Sequence, residues 1–136
     1  MDLFGVAYTS VASRPMQADD LDRLLASARA RNSLVGVTGV LLYGDGQFFQ
    51  YFEGDRAGVD DVWARIRQSS LHHGLVELQR QPIAQRAFNR WFMGFRETPA
   101  TVLQQLSHQQ WTRELPWLES QAESSPGMMH LLALVA

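Results

Sequence analysis

Two apolar runs joined by a glycine-rich turn constrain this chain more than any other feature of its sequence. The first run, LVGVTGVLLY at 34–43, is apolar at odd and even positions alike, and GQFFQYFEG at 46–54 follows the turn Gly44-Asp45-Gly46. That turn composition favours a β-hairpin. A strand that is apolar at odd and even positions is typical of the centre of a sheet that is covered on both faces. The chain must therefore supply a layer of structure for each side of the sheet.

The segments around this hairpin predict more strands and two helices. Apolar, strand-forming segments lie at 3–8, 75–85 and 91–95, and three- and four-residue apolar spacing marks helices over about 18–32 and 56–68. Pro82 places its strand at a sheet edge, or lies at the strand's end. The order β-α-β-β-α-β with one extra short strand predicts an α+β fold, a ferredoxin-like mixed sheet with both helices on one face.

The remaining residues, 98–136, are expected to cover the second face of the sheet. They begin with a Gln-rich amphipathic segment whose apolar residues are Val102, Leu103 and Leu106. Two apolar stretches follow: one contains Trp111, Leu115, Trp117 and Leu118, and the other is GMMHLLALVA at 127–136. An apolar sheet face cannot be left in water. We therefore expect one domain over 1–97, capped by C-terminal helices and a tail over 98–136. The tail is too short to span a membrane, so it is expected to pack on the body or on a second subunit.

The composition excludes several classes of protein. The chain of 136 residues has no Cys, and all 12 of its basic residues are Arg. Disulfides, thiolate metal sites and lysine chemistry are therefore excluded. A net charge of −2 provides no basic surface for nucleic acid. The adjacent pair His72-His73 is a poor metal site, so we expect no metal. No signal peptide is evident, and a cytoplasmic location is the default expectation.

A few polar residues lie where the predicted strands and helices should be apolar. Tyr8 suits a core position with its hydroxyl paired. Gln50 lies mid-strand between two pairs of aromatic residues, and is either a satisfied structural amide or a ligand contact. Asn32 is expected to cap the first helix in the left-handed conformation, and Arg65 to be solvated. If Asn32 and Arg65 instead border one cleft, that cleft would suit a flat heterocycle with a phosphate tail.

Over about residues 2–97 the sequence resembles the BLUF domain, a flavin-binding blue-light sensor. The matching elements, in order, are Tyr8-x-Ser10, Asn32, Thr38-Gly39, Leu42-Tyr43, Phe48-Phe49-Gln50, Glu53-Gly54 and Arg86-x-Phe88-x-x-Trp91-x-Met93-Gly94. Their spacing agrees as well as their identity. The resemblance implies the ferredoxin-like fold and places the sensor domain at 1–97.

The resemblance also implies roles for particular residues. Tyr8 and Gln50 would carry the photochemistry, by proton-coupled electron transfer followed by rearrangement of hydrogen bonds. The residues expected to bind the flavin are Tyr8, Arg31, Asn32, Gln50, Arg65, Ile66 and His72, and those expected to relay the signal are Ser10, Trp91 and Met93. Trp91 and Met93 would lie on the last strand, beside Gln50.

Two departures from the family pattern affect the expected cofactor. Many members carry an acid and an Arg just before the first histidine, whereas this chain has Ser69, Ser70 and Leu71 before His72. Many members also have an Asn directly before Asn32, and this chain has Arg31 there. These changes concern the phosphate end of the flavin. FAD is therefore expected, with FMN or riboflavin as alternatives, and Arg31 could supply charge to a phosphate.

The resemblance implies a sensor without catalysis that signals through protein contacts. We expect a homo-oligomer or an unidentified downstream protein as partner, and neither nucleic acid nor membrane. Two other functions stay open: a ferredoxin-like binding module that has lost the flavin, and a small acyl phosphate hydrolase on the same fold. A yellow protein whose absorption shifts reversibly to the red under blue light would decide among the three.

Overall fold

The structure, a computed structural model, describes residues 2–111 and 125–135. Within them the chain forms β1 (Leu3–Ala12), α1 (Ala18–Val35), β2 (Thr38–Gly44), β3 (Gln47–Asp55), α2 (Arg56–Gln68), β4 (His72–Ile83), β5 (Gly94–Glu97), α3 (Ala100–Ser107) and α4 (Pro126–Val135). The predictions at Leu115, Trp117 and Leu118 lie outside the described residues.

The strands form one mixed sheet in the order β4-β1-β3-β2-β5. The pairs β1–β3, β1–β4 and β2–β3 are antiparallel, whereas β5 runs parallel to β2. This is the ferredoxin-like arrangement that the sequence predicted, with β5 added beside β2. β4 is an edge strand, and Pro82 lies one residue before its end, as expected for a residue without a backbone donor.

Each face of the sheet has its own apolar cluster. On one face α1 and α2 pack against residues of the sheet that include Tyr8, Leu41 and Phe52. On the other face α3 and α4 cover Val40, Leu42 and Phe49. All of β2 is buried, which explains why its sequence is apolar at both parities. The predicted capping of the second face by C-terminal helices is confirmed.

The first helix runs past the end that the sequence suggested. Asn32 is not its cap: α1 continues to Val35, and Gly36 takes the left-handed conformation at φ 66°. Glycine adopts that conformation without steric cost, so the stop signal was Gly36. Residues 34 and 35 therefore belong to the helix, and the central strand begins only at Thr38.

The prediction of a strand over 91–95 is also wrong at its start. β5 begins at Gly94, and the carbonyl groups of Phe92 and Met93 accept hydrogen bonds from side chains of α1. The Trp91 carbonyl accepts the N–H of Gly39. Trp91 and Met93 therefore lie in the segment that leads into β5.

Membrane-spanning helices and metal-binding clusters are both absent from the described residues. No helix in them has both the length and the apolar character needed to cross a bilayer. Over the same part of the chain, no three His, Asp or Glu side chains cluster as metal ligands would.

Candidate functional site

A cavity opens between α1, α2 and the sheet face that carries Tyr8 and Gln50. The seven residues expected to bind a flavin all line it: Tyr8, Arg31, Asn32, Gln50, Arg65, Ile66 and His72. Its other walls include the apolar side chains of Leu24, Ala28, Leu41 and Val62. The residues that the resemblance implied therefore lie around one cavity, and their binding of a flavin stays a prediction.

Tyr8 and Gln50 form a buried hydrogen-bonded pair in this cavity. The Tyr8 hydroxyl donates to Gln50 Oε1 at 2.5 Å. Burial raises the pKa of Tyr8 well above its ordinary value, so the phenol stays protonated and acts as the donor. The Tyr8 ring packs on Trp63 at a centroid distance of 5.2 Å, which fixes its position.

The amide nitrogen of Gln50 points towards Met93. Gln50 Nε2 lies 3.4 Å from Met93 Sδ, a weak acceptor. The amide therefore joins the phenol at one end and a thioether at the other. A weak acceptor holds the amide less firmly than a carbonyl group would, so reorientation of Gln50 breaks only one strong hydrogen bond.

Asn32 lies buried on α1 and faces both the cavity and the segment before β5. Its Nδ2 donates to the Phe92 carbonyl at 2.7 Å. No described residue donates to its Oδ1, so this oxygen is available to a ligand in the cavity. Asn32 thus connects a ligand edge to the backbone next to Met93.

Ser10 and His72 form a second buried pair, of which His72 lines the cavity. Ser10 Oγ lies 2.7 Å from His72 Nδ1, and His72 Nε2 lies 2.8 Å from the Ile66 carbonyl. A carbonyl only accepts, so Nε2 carries a proton and donates to it. In neutral His72 the Ser10 hydroxyl then donates to Nδ1. Ser10 therefore contacts α2 through His72, and its predicted relay role stays a prediction.

Two arginines lie where the cavity meets a more open cleft. Arg31 and Arg65 line both, and Ser69 and Ser70 line the cleft. Arg65 pairs with Asp61 at 3.3 Å, an exposed contact of small energetic value. The cleft therefore offers guanidinium and hydroxyl groups to an anion at the cavity mouth.

Trp91 lies outside this cavity. Its side chain is 43% exposed and stacks on Phe88 at a centroid distance of 5.7 Å. It lines a separate groove with Arg90, Phe92 and Met93. Of the two expected relay residues on the last strand, Met93 alone contacts Gln50.

The family comparison agrees with this geometry. The family model BLUF, described as "Sensors of blue-light using FAD", matches residues 3–94. The chain belongs to the BLUF family.

BLUF relatives resemble this chain in sequence and in structure. The photoactivated adenylate cyclase subunit beta of Euglena longa is 36% identical over 83 residues, which are 61% of this chain and 10% of that protein. The chain thus corresponds to about a tenth of the length of that relative. The BLUF protein BlrB in its dark state superposes with a TM-score of 0.72 at 26% identity, covering 98% of this chain and 95% of BlrB. BlsA in a photo-activated state gives 0.68 at 28% identity, over 75% and 74% of the chains.

The cavity suits the flavin that BLUF domains use. The Gln50 amide and Asn32 Oδ1 offer hydrogen bonds to the polar edge of a flat ring. Ile66 and Leu41 provide apolar walls, and Arg31 lies at the mouth. As a BLUF protein, the chain is a flavin-based blue-light sensor.

The sequence analysis matched Glu53 to the family pattern but gave this buried charged residue no role. Glu53 is fully buried on the sheet face opposite Gln50, and accepts the backbone N–H groups of Ala87 and Phe88. A carboxylate within an otherwise apolar strand was the available signal, because an acid is rarely fully buried without partners.

Proposed function

We propose that Tyr8 and Gln50 carry the light reaction of this sensor. The observation that supports the proposal is their buried hydrogen bond inside the cavity that fits a flavin. Asn32, Arg31, Arg65, Ile66 and His72 would hold the cofactor from the cavity walls. Ser10, Met93 and Trp91 would transmit the change.

The proposed chemistry needs little from the protein chain. A bound flavin would supply the absorption of blue light and, once excited, a strong oxidant. Tyr8 would give one electron to that oxidant, and its phenolic proton would leave along the hydrogen bond to Gln50. Both return to Tyr8 afterwards, so no net oxidation remains. The Gln50 amide ends in a different hydrogen-bonded arrangement, and it then presents a different group to the flavin edge and to Met93.

We propose FAD as the natural cofactor, with FMN and riboflavin as alternatives. The guanidinium groups of Arg31 and Arg65 at the mouth support a flavin with a phosphate. Chromatography of the flavin released from purified protein by heat would identify it. Riboflavin alone in the natural host would contradict the phosphate assignment.

Tyr8→Phe tests the proposed reaction. The variant should bind flavin and stay yellow, yet show no reversible red shift of its absorption under blue light. Tyr43→Phe is the matched control, because Tyr43 is a buried tyrosine on the same sheet face whose hydroxyl accepts the N–H of Met16. The control should keep the shift. A normal shift in Tyr8→Phe would exclude Tyr8 as the donor.

We propose that the output is a change in protein contacts rather than catalysis. The Euglena longa relative is a cyclase subunit, but this chain matches only 10% of its length, so its cyclase activity gives no reason to expect catalysis from this chain. Residues 98–136 would form the surface for a homo-oligomer or a downstream protein. Light-scattering mass and hydrogen exchange of residues 99–111 and 125–135, in darkness and in light, test this. No change in either would exclude that surface. A cytoplasmic location stays a prediction.

A further inference from the structure

Glu53 has a buried carboxylate whose hydrogen-bond donors are all uncharged groups, and Arg86 donates to the backbone carbonyl of the same residue at 3.3 Å. Its Oε1 accepts the Ala87 N–H at 2.9 Å and the Tyr51 hydroxyl at 3.0 Å, and its Oε2 accepts the Phe88 N–H at 2.7 Å. No Arg of the described residues lies within salt-bridge distance of it. Burying a carboxylate is costly unless hydrogen bonds replace its water, and here three donors do so.

The backbone that Glu53 holds belongs to the segment that carries Trp91 and Met93. Arg86, at the start of this segment, donates to the Thr38 hydroxyl at 3.0 Å and to the Gly36 carbonyl at 2.8 Å. Phe88 stacks on Trp91. The segment is thus fastened to the sheet and to the α1–β2 connection over its first three residues.

Two side chains of β3 reach this segment from opposite faces of the sheet. Gln50 contacts Met93 on the cavity face, and Glu53 contacts Ala87 and Phe88 on the other face. They are three residues apart, so their side chains point to opposite sides of the strand. β3 therefore fixes both ends of the stretch from Ala87 to Met93.

We propose that Glu53 is a positioning residue that sets the place of Met93 against Gln50. Its carboxylate anchors residues 87 and 88 to β3, and the stacked Phe88–Trp91 pair carries that position to Met93. The position of Met93 in darkness is argued from these contacts alone. Its consequence for the light response rests on the function proposed above.

Glu53→Gln tests the anchor, because the amide keeps the size of the side chain but loses the charge and one acceptor oxygen. In darkness, exchange of the Ala87 and Phe88 amide hydrogens should accelerate by about tenfold or more, as expected for loss of a hydrogen bond to a charged group. The NMR signal of the Met93 methyl group should also shift. Where Glu53→Gln does not fold, Glu53→Asp is measured instead, since it is shorter by one methylene and cannot reach both amides.

Gln79→Met is the matched control. Gln79 is equally buried and donates to the Gly5 carbonyl, with no hydrogen bond to residues 86–93. It should leave the Ala87 and Phe88 exchange rates and the Met93 signal unchanged. Equal effects in both variants would mean general loosening of the structure and would overturn the proposal, as would unchanged exchange in Glu53→Gln.

The light response provides a third measurement. Glu53→Gln should keep the red shift but change the rate of dark recovery by about two- to thirtyfold, a range typical of residues that bias a shared two-state element. An altered dark state with an unchanged recovery rate would overturn the link to Gln50. If the unmodified protein showed no red shift, the light reaction proposed above would fail, and the two dark measurements would still decide the role of Glu53.

Discussion

Tyr8 and Gln50 are directly opposed residues of the β1–β3 ladder, and the Tyr8 hydroxyl donates to the Gln50 amide oxygen at 2.5 Å. The strand register therefore creates this pair. A slip of β3 by one residue would turn Gln50 to the other face of the sheet, away from Tyr8. Such a slip would be costly, because the apolar side chains of the strand would move from the cluster on one face of the sheet to the cluster on the other face.

Gln50→Leu should abolish the red shift and destabilise the fold. The substitution leaves the Tyr8 hydroxyl buried without its acceptor, which costs about 1–3 kcal/mol. Absorption spectroscopy and thermal unfolding measure the two effects. Gln79→Met, which replaces a buried amide on the opposite face, should keep the shift. A red shift that survives in Gln50→Leu would contradict the role of the amide.

Met93→Leu should leave the fold nearly unchanged and alter dark recovery. The two side chains have similar volume, and such swaps in a core usually cost less than about 1.5 kcal/mol. The variant nevertheless removes the sulfur acceptor of Gln50 Nε2. Recovery of the dark spectrum after a blue pulse is the measurement. Met16→Leu, at the edge of the same apolar cluster, should recover at the normal rate.

Arg31→Ala and Arg65→Ala should weaken binding of phosphate-bearing flavins selectively. We expect the Kd for FMN or FAD to rise about three- to tenfold at low salt, since exposed charged contacts are screened. Riboflavin should bind as before. Arg67→Ala is the control, because Arg67 lies over the Trp63 ring and does not line the cavity. Equal weakening for riboflavin would place these arginines elsewhere than at the phosphates.

Asp20 should make the stability of α1 depend on pH. The Gln17 N–H donates to Asp20 Oδ2 and lowers the pKa of this carboxyl below its ordinary value of 3.8, with help from Arg14 and Arg23. A lowered pKa in the folded state stabilises the fold above the unfolded pKa, and the benefit is lost as pH falls through the folded pKa. Asp20→Asn should therefore lower Tm at neutral pH, and the difference should vanish in acid. A Tm difference that persists at pH 2 would contradict this origin.

The sequence predicted the ferredoxin-like sheet from the order of its segments, and the resemblance to the BLUF family supplied the residues that line the cavity. Gly36 was the better stop signal for α1, as a glycine in the left-handed conformation ends helices more often than Asn. The start of β5 could not be predicted, because Arg29 and Asn32 on α1 hold the carbonyl groups before it. Those bonds join residues about 60 positions apart.

The pairings of side chains were the hardest to predict. Ser10 and His72 each fit several local interpretations, and only the β1–β4 ladder brings them together. Glu53 shows the same limit, since two of its three hydrogen-bond donors are backbone groups of a loop that has no periodic pattern. A carboxylate in a buried strand needs hydrogen-bond partners, but only the fold determines which groups provide them.

The helices on the second face limit how far the chain of this sensor can be shortened. The family match ends at residue 94, yet α3 and α4 cover Val40, Leu42 and Phe49. A fusion protein that carried only the matched segment would expose that apolar face to water and invite aggregation. A transplantable light sensor made from this chain must therefore include both helices, or receive from its new host an apolar surface of the same shape.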